Sequence, residues 1–337
     1  MIPKKIVVGF DGFLDILAKP IAEKRNDGNR YFATIDAFGK YLCGQAGKSC
    51  SIELDVTARK PGGNAPLLSI AAAALGMDVN CVGMMGWPKP DALFAAMPFQ
   101  TYTYLPPGES TALEFDDGKV FLAPSIPFLD DPWAKVDAAM QNRADEVFAQ
   151  ADIVALVNWS EIPFAHALWE AALAALLPYA ADKEKHMLFD LCDCSRKLPA
   201  DIEAVLKLIG RFSARRHSIL SLNENECLNI GAKLFDESDC TTIATNIHKH
   251  FNVDEVVVHA LKWSLVVNHQ EQCCQQTIFV KKPVVSTGAG DNFNAAYAYG
   301  AAMKTTAKER LAFCHRFVHT YITSGKSGLP LSQHTVE

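Results

Sequence analysis

Short runs of β-branched and other apolar residues alternate along the chain with longer stretches rich in Ala and Leu. The short runs have the length of buried strands, and the longer stretches have that of helices. This alternation is typical of βα units that feed a mostly parallel sheet with helices on both faces. We therefore predict a doubly wound α/β fold with strands at 6–9, 79–83, 153–157, 187–190, 218–222 and 256–259, and helices at 64–75, 165–177, 200–209 and 243–250.

Two segments break this rhythm. Apolar and polar residues alternate at 51–56, and they alternate again at 111–122 around Asp117-Gly118, a dipeptide typical of hairpin turns. We predict a small antiparallel β lid, inserted at approximately 14–60 and 99–124 into one domain that spans 1–337. Such a lid could close over a ligand, although a plain surface hairpin fits the pattern equally well.

The charge and the lengths of the apolar runs exclude some kinds of partner. The net charge of -6 and a pI near 5.9 give no global basic footprint, which argues against nucleic acid as the main partner, so we expect a small molecule instead. No apolar run reaches the roughly 18 residues that a membrane helix needs, and residues 1–10 do not resemble an export signal. We expect a cytoplasmic protein without a membrane partner.

The 10 cysteines are scattered along the chain, and we expect them to be reduced. Two close groups, Cys192/Cys194 and Cys273/Cys274, raise the question of a metal site. Neither has a second pair at the spacing of a zinc site, so structural thiols are the better interpretation.

The most informative segment is 284–297, where a strand-like run leads through small residues into a run of helix formers. This order places Gly288, Ala289 and Gly290 at a helix N-terminus, where free N–H groups and the helix dipole attract an anion. Asp291, directly after them, would repel an anion unless it has another task. It could take a proton from a nucleophile, or it could simply cap the helix; the local pattern leaves both open.

Residues 287–291, with Phe293 and the small-residue helix after them, closely resemble the C-terminal signature of the ribokinase-like (PfkB) carbohydrate kinases. Five further segments resemble the family in the same order along the chain. They are 7–16, 61–76, 82–86, 189–196 and 223–226.

The resemblance implies a kinase that transfers the γ-phosphoryl group of ATP to a hydroxyl of a small sugar, polyol or nucleoside. Asp291 would be the base and Gly288–Gly290 the anion hole. No residue would bind Mg²⁺ directly; the cation would be placed through Asn223, Glu226 and water molecules, as suits its reluctance to lose water. The remaining implied site residues are Thr287 for the nucleotide phosphates and Asp15, Gly62 and Gly63 for the substrate. Asn64 could supply a further amide to the substrate, although it could equally be just the helix cap.

Some of these roles have structural alternatives. Asn223 and Glu226 could form a polar turn that caps the next helix. Asp11 is a second acid near Asp15, and a role in a turn fits it as well as a contact with substrate. The resemblance also leaves open a homodimer formed through the lid.

The chain departs from the family pattern at several positions. Leu67 stands where the family has a sugar-binding Asn, and Val285 stands where an Asp is linked to a monovalent cation. The usual Thr and two glycines of the nucleotide loop fall on His259, Leu261 and Ser264, so we expect an altered purine pocket. A usual acidic pair is Trp87-Pro88 here, and the substrate therefore cannot be carried over from the resemblance.

Two other classes of protein could share parts of this pattern. A non-catalytic ligand-binding or regulatory protein could keep the fold and the anion site, although such a protein does not need the base Asp291. An oxidoreductase that binds a dinucleotide would need a glycine fingerprint after the first strand, and residues 9–12 lack it.

Overall fold

The computed structural model describes residues 2–328 of the 337. The strands are β1 (Lys5–Phe10), β2 (Phe13–Arg25), β3 (Gly28–Tyr31), β4 (Leu54–Gly62), β5 (Asp78–Met84), β6 (Gln100–Leu105), β7 (Gly108–Phe115), β8 (Gly118–Leu122), β9 (Ile153–Leu156), β10 (His186–Asp190), β11 (His217–Asn223), β12 (Glu255–His259), β13 (Trp263–Asn268) and β14 (Gln272–Gln276). The helices are α1 (Ile35–Cys43), α2 (Asn64–Ala74), α3 (Ala92–Ala95), α4 (Pro132–Ala139), α5 (Ala144–Gln150), α6 (Ala165–Leu176), α7 (Pro199–Phe212), α8 (Glu224–Leu234), α9 (Cys240–Phe251), α10 (Ala289–Ala302) and α11 (Ala307–Ser324).

The large sheet has nine strands in the order β14-β13-β12-β11-β10-β9-β1-β5-β6. From β6 to β12 every neighbouring pair is parallel, and β13 and β14 are added antiparallel at one edge. The predicted doubly wound fold is confirmed, with every predicted strand and helix present and small differences at their ends.

Helices cover both faces of this sheet because successive side chains of each strand point to opposite sides. On β1, Val7 belongs to the apolar core under α4 to α9, whereas Ile6 and Val8 belong to the core under α2, α10 and α11. All three side chains are at most 1% exposed. The alternation of buried residues therefore fixes which helices lie on which face.

The second sheet is the lid, in which β3, β2, β7 and β8 lie side by side and β4 pairs with β2. Its pairs are antiparallel except β2 with β7, which is parallel. The second expected insertion, 99–124, begins too early for this sheet, because Gln100–Leu105 pairs with β5 in the large sheet. The hairpin turn is Asp116-Asp117, one residue before the expected dipeptide.

Helix α1 lies within the lid and was not predicted. Thr34 caps its first turn by accepting a hydrogen bond from Ala37 N at 3.1 Å. Its Phe38 contacts Phe32 and Phe115, with ring centroids 5.2 and 5.5 Å apart. The helix is thus attached to the lid through aromatic packing.

The parallel strands end at one edge of the large sheet, and the polar residues that follow them gather there. Strands β2 and β4 carry the lid out from the same edge, and β4 leads through Gly63 directly into α2. In an open α/β sheet this edge is where ligands bind. None of the helices within residues 2–328 combines the length and the hydropathy needed to cross a membrane.

Candidate active site

The small-residue loop at the start of α10 presents main-chain N–H groups. Gly288 is the N-cap and has φ 87°, a left-handed conformation that favours glycine. Within residues 2–328 the N–H groups of Gly288 and Gly290 make no hydrogen bond to other main-chain atoms, whereas Ala289 N donates to Ser286 O at 3.2 Å. Free donors at the positive end of a helix of this length can hold phosphoryl oxygens.

Two side chains that the sequence did not indicate as site residues donate hydrogen bonds to main-chain oxygens of this loop. Tyr321 Oη donates to Thr287 O at 2.7 Å, and Asn292 Nδ2 donates to Gly288 O at 2.8 Å. In a trans peptide the C=O and the next N–H point in opposite directions. The bond to Thr287 O therefore turns the Gly288 N–H to the opposite side of that peptide.

Asp291 is the third residue of α10, so it is not the N-cap. Its side chain is 7% exposed, and its Oδ1 is buried without a hydrogen-bond partner in the described chain. Burial raises the pKa of Asp291 well above its ordinary value, and the charges of Asp190 and Asp11 raise it further. A carboxyl group with an unused oxygen beside free N–H donors can accept a proton.

Asn223 and Glu226 form a capping box at the start of α8. Asn223 Oδ1 accepts from Glu226 N at 2.9 Å, and Glu226 Oε2 accepts from Asn223 N at 2.8 Å. The polar turn that caps the next helix, which the sequence allowed as an alternative, is thus present. It occupies one of the two carboxylate oxygens of Glu226. Burial raises the pKa of Glu226, and the nearby Asp190 carboxylate raises it further.

Asp190, at the end of β10, is bonded to the helix that carries Asp291. Its Oδ2 accepts from Asn294 Nδ2 at 2.7 Å, and its Oδ1 accepts from Cys192 N at 2.8 Å. Asn294 in turn accepts from Ser221 Oγ at 2.6 Å. The sequence placed Asn294 three residues after Asp291 on one helix, a spacing that could have marked it as a neighbour.

Asp11 has its two oxygens occupied by the start of α2 and one asparagine. Ala65 N donates to Oδ1, and Asn64 N and Asn158 Nδ2 donate to Oδ2, each at 2.7 Å. Asp11 is fully buried, and burial raises its pKa to about 6. These bonds give Asp11 a structural role at the start of α2, and its contact with substrate stays a prediction. Asn158 was missed, although a polar residue soon after the buried strand β9 is a usable signal.

Asp15 lies against the glycine pair. A Cβ on Gly62 would lie 2.4 Å from the Asp15 carboxyl, and one on Gly63 would lie 2.6 Å from Asp11 Oδ2. Gly63 also has φ 89°. Glycine is required at both positions because the acids occupy the space of a side chain. Burial raises the pKa of Asp15, whereas the charges of Lys60 and Lys119 lower it.

A cavity of about 370 Å³ opens on the other side of the N–H loop. Its wall is mostly apolar, and Asn223, Ala289 and Gly290 line the end nearest the loop. The ring of His259 lies 4.7 Å from that of Phe293, and burial lowers the pKa of His259 to about 4. The space and its lining suit a nucleoside next to the phosphate-binding loop.

The departures from the family pattern fall at different places in the structure. His259, Leu261 and Val285 line the nucleotide-sized cavity. Leu67 does not: a Cβ on Gly288 would lie 3.5 Å from its Cδ1, and it lines a separate groove next to Tyr321. Asn64, one turn before Leu67, is the first residue of α2, and its main-chain N donates to Asp11 Oδ2 at 2.7 Å.

Four buried carboxyl groups, those of Asp11, Asp190, Glu226 and Asp291, influence one region, but most of their oxygens accept hydrogen bonds from the chain itself. They act on one another's charge, and no Lys or Arg is among the influences on their pKa values. Oxygen donors of this kind are what Mg²⁺ prefers. Among residues 2–328 no group of three or more His, Cys, Asp or Glu side chains is placed to hold a metal ion, so a cation here would be held mainly by nucleotide and water oxygens. All ten cysteines are free thiols.

The family model described as prokaryotic ketohexokinase matches residues 1–332. The chain belongs to the prokaryotic ketohexokinase family. It is a ribokinase-like, ATP-dependent carbohydrate kinase, as the resemblance implied. The match takes in both sheets and the whole of the site described above.

Three proteins illustrate the relationship. The ketohexokinase of Haloferax volcanii is 23% identical over 329 residues, covering 95% of this chain and 87% of that protein. The adenosine kinase of Sinorhizobium meliloti has a TM-score of 0.67 at 16% identity, covering 98% of this chain and 97% of its own. The ribokinase of Arabidopsis thaliana, solved with ribose and ATP, has a TM-score of 0.62 at 18% identity, covering 97% and 95%. The two structures show that the fold is shared.

Proposed function

We propose that this prokaryotic ketohexokinase relative transfers the γ-phosphoryl group of ATP to a hydroxyl of a small sugar or polyol, with Asp291 as the general base. The observation that carries the proposal is the place of Asp291: it is buried, with a free Oδ1, directly after the free N–H groups of Gly288 and Gly290. A base and an anion hole this close together can serve one reacting hydroxyl.

The reaction needs Asp291 in its ionised form. Burial and the neighbouring carboxylates favour its protonated form in the protein alone. Mg²⁺, placed near Glu226 and Asn223 with the nucleotide, would supply positive charge that neutralises the phosphates and favours the carboxylate. The ionised Asp291 then takes the proton of the attacking hydroxyl, while the loop amides hold the charge on the transferred group.

Asp15 and the amide of Asn64 would orient the acceptor from the lid side. Asp15 accepts hydroxyl hydrogen bonds well because it is a carboxylate held in place against Gly62. The relative from Haloferax volcanii is named a ketohexokinase. A ketohexose skeleton is therefore the first acceptor to test, with ATP in the cavity beside His259.

The decisive experiment compares Asp291→Asn with the unmodified protein. We expect nucleotide affinity within a few-fold of normal and turnover lower by roughly a hundredfold or more, the scale of lost general-base catalysis. Turnover is read as ADP release with Mg²⁺, ATP and a panel of ketohexoses, aldoses and polyols, and affinity is read by calorimetry. Near-normal turnover in the variant would show that Asp291 is not the general base.

A further inference from the structure

The peptide bond between Thr287 and Gly288 carries one of the free N–H groups of the anion loop, that of Gly288. Gly288 has φ 87°. Because glycine has no Cβ, it adopts positive and negative φ about equally readily. The residue itself therefore does not determine which way this peptide faces. The Gly288 N–H needs a restraint from another part of the chain to keep one direction.

Tyr321, on α11, supplies the only such restraint on the Thr287 carbonyl within residues 2–328. Its Oη donates to Thr287 O at 2.7 Å, and no other group in this range donates a hydrogen bond to that oxygen. The next carbonyl, Gly288 O, is held twice, by Asn292 N at 3.0 Å and by Asn292 Nδ2 at 2.8 Å. One carbonyl of the loop thus has two hydrogen bonds, and the other depends on Tyr321 alone.

The hydroxyl of Tyr321 lies on the outer side of the loop. A Cβ on Gly288 would lie 2.7 Å from Tyr321 Oη, so glycine leaves the space that this hydroxyl occupies. Tyr321 lines the groove next to Leu67, whereas its neighbours Val318 and Ile322 line the nucleotide-sized cavity. Because the C=O and the N–H of a trans peptide point in opposite directions, the bond to Thr287 O directs the Gly288 N–H away from this groove.

The direction of this hydrogen bond is fixed by the chemistry of its partners. A main-chain carbonyl only accepts, so the Tyr321 hydroxyl must donate. Burial raises the pKa of Tyr321, and the charge of Asp291 raises it further. The hydroxyl therefore keeps its proton at neutral pH, and the restraint on the loop persists over the pH range in which a kinase works.

We propose that Tyr321 is a positioning residue for phosphoryl transfer, which holds the Thr287–Gly288 peptide so that the Gly288 N–H meets the charge on the transferred group. The inference rests on the proposed kinase function and adds to it a residue that contacts neither substrate. The donor meets the most negative charge in the transition state, so its direction matters most for the rate. Binding of ATP and of the acceptor before the reaction depends on it little.

The test is Tyr321→Phe, which removes the hydroxyl and keeps the ring. We expect kcat to fall roughly ten- to a hundredfold while the KM values for ATP and fructose stay within about threefold. Affinity for ADP with aluminium fluoride and Mg²⁺, which mimics the transferring phosphoryl group, should fall by a similar factor, whereas ADP alone binds as before. An unchanged kcat, or equal weakening of both ADP ligands, would overturn the inference.

Tyr297→Phe is the matched control on α10. The Tyr297 hydroxyl is fully buried and donates to Glu255 Oε1 at 2.8 Å, at the start of β12 and therefore at the opposite edge of the sheet from the site. This variant should unfold at a lower urea concentration and keep a near-normal kcat. If kcat falls in both variants in proportion to their loss of stability, Tyr321 only stabilises the fold and the inference is wrong.

A double variant tests whether Tyr321 acts through this peptide. Gly288→Ala places a methyl group in the space of the Tyr321 hydroxyl, so the hydrogen bond to Thr287 O is already disturbed. In that background Tyr321→Phe should lower kcat by less than about threefold more, because coupled residues are not additive. A full additional loss would mean that Tyr321 acts elsewhere.

Failure of the kinase proposal would give a different result. If no acceptor is phosphorylated by the unmodified protein, the proposed function fails, and the affinities of the variants for ADP with aluminium fluoride still test the position of the Gly288 N–H. If the unmodified protein phosphorylates a sugar and Tyr321→Phe does so at the same rate, only the role of Tyr321 is refuted.

Discussion

Asn294 Nδ2 donates a hydrogen bond to Asp190 Oδ2 at 2.7 Å, and this bond joins the end of β10 to the helix that carries Asp291. Both side chains are buried, and Asn294 is fully so. The bond spans 104 residues of sequence, so it fixes α10 against a strand that is distant along the chain. The position of the proposed base therefore depends on a residue one turn away from it.

The first prediction concerns this bond. Asn294→Leu leaves Asp190 Oδ2 and Ser221 Oγ without their partner, and we expect a loss of about 1–3 kcal/mol in the free energy of unfolding together with a lower kcat. Denaturant unfolding and steady-state kinetics measure the two effects. Ser221→Ala is the control, since it removes the other bond of Asn294 and leaves Asp190 paired. A normal kcat in Asn294→Leu would show that α10 is held in place without this bond.

The second prediction concerns the glycine pair. Gly62→Ala places a methyl group 2.4 Å from the Asp15 carboxyl, so this acid must move. We expect the KM of the acceptor to rise at least about tenfold while nucleotide affinity changes little, because only the acceptor side is disturbed. Gly39→Ala is the matched control within the lid, since a Cβ at Gly39 meets nothing within 4 Å. Equal losses for both ligands would contradict the assignment of Asp15 to the acceptor.

The third prediction concerns monovalent cations. Val285 has no carboxylate, and its main-chain N lies 3.4 Å from Ile322 O, so a cation beside the anion loop would lack a charged oxygen ligand there. We expect initial rates to depend little on potassium. The comparison is potassium buffer against a bulky organic cation at equal ionic strength, which also controls for screening. Strong stimulation by potassium would show that main-chain oxygens suffice.

The fourth prediction concerns acid stability. Burial and, to a smaller extent, the charge of the adjacent His217 lower the pKa of His186 from 6.5 to about 4. Between these values the unfolded chain binds a proton that the folded protein does not, so stability falls as the pH drops from about 6.5 to about 4. The expected loss in the free energy of unfolding from this group is about 3 kcal/mol at most.

Comparing the protein with His186→Gln at each pH isolates this contribution, because other groups cancel in the difference. The stability gap between them should shift in favour of the variant as the pH falls, measured by urea unfolding. His250→Gln, at an exposed position of α9, should track the unmodified protein. A gap that is constant with pH would mean that His186 is not buried in its neutral form.

The sequence predicted the large sheet well because its strands are buried on both faces and read as continuous apolar runs. The loop before Asp291 was equally predictable, because small residues between a strand and a helix form a pattern within one short segment of sequence. The sequence did not predict the hydrogen bonds made by Asn294, Asn158 and Tyr321. Their importance comes from partners far along the chain, and a local pattern of burial does not say which distant elements meet.

The lid was predicted less accurately for the same reason. Alternation at 111–122 indicated a hairpin, but pairing alone decides that Gln100–Leu105 joins the large sheet. Helix α1 was missed because its nine residues have no buried side chain, and its anchoring depends on Phe32 and Phe115 from other elements. The roles of the site residues remain predictions from the sequence, now with a geometry against which each can be tested.

The acceptor side and the phosphoryl side of the site come from separate stretches of the chain. Residues 11–63 contain Asp11, Asp15 and the glycine pair, which are proposed for the acceptor side, and residues 190–294 contain the acids and amides that are proposed to act on the phosphates. Asn158 belongs to neither stretch and donates a hydrogen bond to Asp11 Oδ2 at 2.7 Å. A chimaera that takes residues 1–76 from a relative with another acceptor would therefore replace the acceptor side of the cleft and leave the phosphoryl side unchanged. The residue at position 158 would have to suit the Asp11 position of the new segment.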